Sequence, residues 1–182
     1  MANAQNVSAA KPKIGGAIYA AALGTSLPTD TDTALTGFTS LGYVSADGLT
    51  NSTNIESEKV KSWGGDTVLV IQTSKEDSFK FNLIEVLNED VIKTIYGDDN
   101  VSGTLATGLT INVSSADVQE MSYVIDMVLR GDTKKRIVIP AAKVSAMEDI
   151  VYSDEAAIGY NVTVDCTPDT YANTHYEYIQ RA

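Results

Sequence analysis

Cysteine and histidine are nearly missing from this sequence. Among 182 residues there is one of each, Cys166 and His175. A lone cysteine forms no internal disulfide, which excludes a disulfide-stapled secreted domain. One of each cannot make a Cys/His zinc set, and a single histidine leaves little room for a Ser-His-Asp triad. Cys166 ends the alternating run Val162, Val164, Cys166 and is expected to be a buried, inert thiol. His175 lies in a polar, aromatic stretch and is expected at the surface. Positive charge is also scarce. Lysine and arginine number 13 against 24 acidic residues, for a net charge of -11. Gripping phosphates needs clustered bases, so a general nucleic-acid surface is excluded and binding to an anionic membrane is disfavoured.

Long apolar runs are absent too. Nothing approaches the roughly 20 residues needed to cross a bilayer as a helix. The run from Ile14 to Leu23 follows Lys11 and Lys13 like a leader peptide, but Gly15 and Gly16 interrupt it, so it reads as a strand. The expectation is a soluble chain made in the cytosol. Catalytic motifs are missing as well. Gly15-Gly16 and Gly64-Gly65 lack the Gly-Lys-Ser/Thr of a phosphate loop, and no Gly-x-Ser-x-Gly occurs. Asp30 and Asp32 begin like a calcium loop, but the required glycine and glutamate do not follow. The acidic pairs Glu89-Asp90, Asp98-Asp99 and Asp154-Glu155 lie near turns and read as solvated charge. No enzyme activity, metal or cofactor is expected.

What is present is a series of short β-like runs. Residues 1–13 read as an N-terminal arm and 14–23 as a strand. Residues 24–40, rich in Thr, Asp, Ser and Gly, read as a loop. A short strand over 41–46 ends at the turn pair Asp47-Gly48. Residues 47–66 form a polar excursion read as a long contact loop, closing on Trp63-Gly64-Gly65-Asp66. The β-branched run Thr67–Thr73 and the alternating run Phe79–Leu87 read as a hairpin joined through Ser74–Ser78. Phe79, Phe81 and Leu83 mark its buried face, with Lys80, Asn82 and Ile84 opposite.

Asn88 is a good N-cap, Glu89 and Asp90 suit the first turn, and Gly97 suits the stop, which predicts one helix over 89–96. Met121–Leu129 and Arg136–Pro140 predict a second hairpin around Gly131-Asp132, with a basic tip. Ala157–Cys166 predicts a further strand. The tail, 171–182, carries Tyr171, Tyr176 and Tyr178 and reads as a C-terminal arm or an edge strand. The sum is a mainly β protein, a β-sandwich or barrel-like core with one short helix. Its central domain spans 14–170.

The segment order carries a resemblance. Gly42-Tyr43-Val44-Ser45-Ala46-Asp47-Gly48-Leu49, then Lys61-Ser62-Trp63-Gly64-Gly65-Asp66, then Phe79-Lys80-Phe81-Asn82-Leu83-Ile84-Glu85, and finally a helix ending in Ile95-Tyr96-Gly97 resemble the tail tube (major tail) proteins of long-tailed bacteriophages. The match is best over residues 41–97. It implies a structural subunit that forms hexameric rings stacked into a hollow tube, with strands of neighbours joined into a lumen-lining barrel. It further implies a place in the virion tail after assembly in the host cytoplasm, and contacts with tape measure, tail tip and tail terminator proteins. DNA would pass in transit without specific binding, and the chain itself would bind no membrane. On this reading the contact candidates between subunits are Lys59, Lys61, Trp63 and Asp66, the basic tip Arg130, Lys134, Lys135 and Arg136, and Tyr176 and Tyr178. The alternatives are an inner-tube subunit of a contractile injection device, or a non-enzymatic secreted β binding module.

Overall fold

The computed structural model describes residues 1–181. Among these residues eleven strands and one α-helix follow in order: β1 Lys11–Pro12, β2 Ile18–Ala22, β3 Thr39–Ser40, β4 Val44–Lys61, β5 Thr67–Leu83, α1 Glu89–Tyr96, β6 Val101–Thr104, β7 Gly108–Ile111, β8 Met121–Val128, β9 Lys134–Met147, β10 Tyr160–Cys166 and β11 Tyr176–Gln180. Nine strands form one sheet in the order β3-β2-β8-β9-β10-β5-β4, with β1 added to β8 and β11 to β9; β6 and β7 make a separate hairpin. All pairings are antiparallel. The fold is mainly β with one short helix, and the sheet does not close into a barrel.

The sheet is curled around its core. Phe81 on β5 meets Tyr123 on β8 at a ring-centroid distance of 6.5 Å although two strands lie between them in the sheet. Right-handed twist accumulated over successive strands brings distant strands face to face in this way. The interior is filled from both sides by Phe79, Phe81 and Leu83, by Tyr123, Ile125, Ile137 and Ile139, and by Val162 and Val164. The expected alternation on β5 is therefore present: Phe79, Phe81 and Leu83 are buried, and Lys80, Asn82 and Ile84 are only half-buried. Gly42 turns the chain between β3 and β4, with φ at +72°. A Cβ there would overlap the Glu85 carboxylate, which accepts the Tyr43 amide at 2.9 Å, so glycine is needed for both conformation and space.

Helix α1 spans the predicted residues. Asn88 accepts the Asp90 amide at 3.0 Å, and Gly97 takes φ of +88° as the helix stops. Val91 and Ile95 point into the core. Asn88→Ala is expected to cost about 1 kcal/mol, read as a lower denaturant midpoint at unchanged slope.

Two sequence expectations are corrected. The stretch 47–66 is no loop: residues up to Lys61 belong to β4, and only Ser62–Asp66 make the turn. Ser74–Ser78 is no connection either. It lies inside β5, so Thr67–Thr73 and Phe79–Leu83 are one strand whose hairpin partner is β4. The tail is an edge strand, since β11 pairs with β9 from Tyr176↔Val138 to Gln180↔Lys134. Its last residue, Ala182, lies outside the described residues.

Candidate assembly interface

The β4–β5 hairpin outruns the core. Strand β10 accompanies β5 only from Leu83 to Ser78, while β4 and β5 stay paired as far as Lys61↔Thr67. At about 3.3 Å per residue, the paired strands carry the turn roughly 25 Å past the Thr53–Asp77 pair. In this arm β4 is exposed, and β5 is exposed from Thr67 to Thr73.

A two-stranded ribbon in water is marginal, and this one carries an apolar load. Val68, Leu69, Val70 and Ile71 are 63%, 53%, 56% and 46% exposed, and Ile55 is also exposed. Because strand side chains alternate, consecutive apolar residues give both faces an apolar stripe. Both edges are open as well, since among the described residues β4 has β5 as its only partner and β5 has lost β10. Exposed apolar patches with unpaired strand edges mark a surface built for another chain. Two acidic residues, Glu56 and Glu58, followed by two lysines, Lys59 and Lys61, guard that edge with charge.

The structure sorts the predicted contact residues into three groups. Lys59, Lys61, Trp63 and Asp66 share the arm tip. Lys59 is opposite Val70 and Lys61 opposite Thr67. Trp63 is fully exposed in a turn held by Ser62 N–H donating to the Asp66 carbonyl at 2.8 Å. Arg130, Lys134, Lys135, Tyr176 and Tyr178 form a second group around the β8–β9 turn and β11. There Lys134 is bonded to Asp32, Lys135 reaches Glu177 at 2.9 Å, and the two tyrosine rings stack at 6.5 Å. Arg136 stands apart because its side chain is buried. Its Nε and Nη2 donate to the two Asp126 oxygens at 2.6 and 2.9 Å, and its Nη1 donates to the carbonyls of Asp30 and Thr33. Bonding to Asp126 outweighs burial and raises its pKa further. This guanidinium is consumed inside the subunit.

Sequence reasoning missed the root of the arm. Asp77 is 2% exposed where β5 leaves the sheet. Its carboxylate accepts the hydroxyls of Thr53 and Thr174, with Lys75 Nζ at 3.9 Å and His175 Nδ1 at 4.0 Å. His175 also packs edge-on against Phe79. The C-terminal segment thus clamps the arm at the point where the sheet divides. Burial pushes the Asp77 pKa up, but the bonds from Thr174 and Thr53 and the nearby cations outweigh it, and the net shift is downward.

The linkage follows from that direction. The stabilisation is complete above the unfolded value, near pH 4, and is lost as pH falls through the lower folded value. Asp77→Asn is expected to destabilise by about 1–3 kcal/mol at neutral pH and to flatten the acid limb of a denaturation series. Identical acid limbs for the two proteins would show that Asp77 is not the linked group.

No curated protein matches the sequence. A family model described as "Phage tail tube protein" matches residues 2–182.

Proposed function

Since the chain belongs to the phage tail tube protein family, and is accordingly a structural component of the virion tail, we propose that it assembles as hexameric rings stacked into a hollow tube through which DNA enters the host. The observation that carries this reading is the arm, which is apolar on both faces and unpaired on both edges. A lone subunit gains nothing from extending such a ribbon into water. A stacked one buries it, and the arm then bridges one ring to the next.

Two sheet ends also await partners. β4 terminates one end of the sheet and the two-residue β3 the other. Joining these ends between neighbours would line the lumen with a continuous barrel and remove the open edges. Tape measure, tail tip and tail terminator proteins would meet the ends of such a tube, assembled in the host cytoplasm. With a net charge of -11 per subunit, an acidic lumen would let DNA pass without counterion release holding it. A map of the tube with a mainly basic lumen would overturn that last point.

Negative-stain microscopy of the concentrated protein tests the assembly, with hollow tubes or six-fold rings as the expected result. Trp63 is the sole tryptophan and is fully exposed in the subunit. Its emission is therefore expected to move to shorter wavelength as tubes form, and unchanged emission in visible tubes would place the arm tip outside the contacts.

A further inference from the structure

An open groove lies where β2 ends and β8 begins, against α1. Its volume is about 730 Å³. Its lining includes the apolar Ala20, Ala21, Ala22, Leu23 and Met121 and the acidic Asp90, Asp98 and Glu120. Among the described residues Lys93 is the one base lining it, and it already faces Asp98 at 3.6 Å. From Glu85 to Glu120 the sequence holds seven carboxylates and that single base. The arm tip is complementary. It offers a free indole at Trp63 and two lysines, Lys59 and Lys61, against the single carboxylate of Asp66 in the turn, and neither lysine has a carboxylate within 4 Å among the described residues.

The registers fix where these two surfaces lie. Met121 is opposite Ala142, Ala142 opposite Cys166, and Asp165 opposite Ser78. The groove therefore begins at the level of Asp77 and extends toward α1. The tip lies the other way along β5, roughly 25 Å past Asp77. Within one subunit the tip cannot reach the groove.

We propose that the groove receives the arm tip of a second copy of this chain, with Trp63 on its alanines and Lys59 and Lys61 against its carboxylates. This rests on the tube reading. Two different surfaces joined in this way make a heterologous contact, which propagates in one direction and does not saturate as a dimer. All copies then point the same way, and the subunit's uneven charge favours growth instead of opposing it.

Cross-linking tests the contact. Cys166 is the natural cysteine, and burial pushes its thiol up to about 12, so it stays protonated and inert. In the full chain, Trp63→Cys combined with Leu23→Cys is expected to give a ladder of dimers, trimers and longer chains on mild oxidation, while either single variant stops at dimers. Tubes seen by microscopy with no ladder would overturn the groove assignment and leave the tube reading standing. A protein that stays monomeric at every concentration, with no tubes and no ladder, would remove both.

A charge exchange gives a second reading. Lys59→Glu with Lys61→Glu is expected to slow tube growth at least about tenfold, and adding Asp90→Lys with Asp98→Lys in the same chain to recover most of it. No recovery in a variant with a native circular-dichroism spectrum would count against the groove.

Discussion

Replacing residues 54–76 by Asn-Gly, so that Thr53 turns directly into Asp77, is expected to abolish assembly and leave the subunit folded. Nothing in the deleted stretch belongs to the core, whose β5 members begin at Phe79. The Thr53 and Asp77 pair that anchors the C-terminal segment is retained, and Asn-Gly favours the tight turn that twisted strands require. The shortened protein should therefore unfold within a few degrees of the full one, and it should sediment as a monomer at concentrations where the full chain forms tubes. It should also be easier to keep in solution, because the apolar run Val68–Ile71 and two open edges are gone. Tubes of normal diameter from the shortened chain would show that the arm is dispensable, and the central observation behind the assembly reading would fail.

Arg136→Met is expected to have the largest effect on stability of any single exchange described here. The guanidinium fills a site formed by Asp126 across the strand pair and by two carbonyls of the 24–38 loop. Removing it leaves the buried Asp126 carboxylate with Lys13 alone, at 3.2 Å and half in solvent. Breaking a buried pair in this way typically costs about 3–5 kcal/mol. For a chain of this size that lowers Tm by roughly 6–20 °C. Lys134→Ala makes the control. It removes an ion pair to Asp32 whose two side chains are about half exposed, and exposed pairs contribute about 1 kcal/mol or less. Replacing Arg136 and Asp126 together by Met and Leu should cost much less than Arg136→Met alone, since no unpaired charge remains. Equal losses for Arg136→Met and Lys134→Ala in urea titrations would refute the structural role of the buried pair.

These two predictions also mark where the sequence was readable. Helix α1 was legible to the residue because its punctuation is local: Asn88 caps it, Gly97 ends it, and Val91, Ile92 and Ile95 keep a helical period between them. The β8–β9 hairpin was legible from Gly131-Asp132. The face of Phe79, Phe81 and Leu83 was legible from period-two alternation.

The arm was not, and the reason is physical. Alternation reports burial on one face, and residues 50–61 bury neither, so a genuine strand carried no strand signal. The partner half misled in the opposite sense. Val68–Ile71 reads like a core strand and is exposed, because β5 runs on past the end of its pairing with β10. Arg136 was grouped with its exposed neighbours since nothing local distinguishes a buried base. Its partner Asp126 is found only through the register of β8 with β9. Asp77 likewise takes its meaning from Thr174 and His175, almost a hundred residues away in the sequence.

The two flanking strands of the β8–β9 hairpin have a practical corollary. Lys11 is opposite Val128, Val128 opposite Lys134, and Lys134 opposite Gln180, so β1 and β11 begin and end in a single row across four strands. Three strand spacings, about 14 Å, separate them. A short linker could therefore join Gln180 to Lys11, and the chain could be reopened at the β6–β7 turn, residues 105–107. Such a circularly permuted subunit would keep every strand pairing and move both chain ends away from the β8–β9 turn.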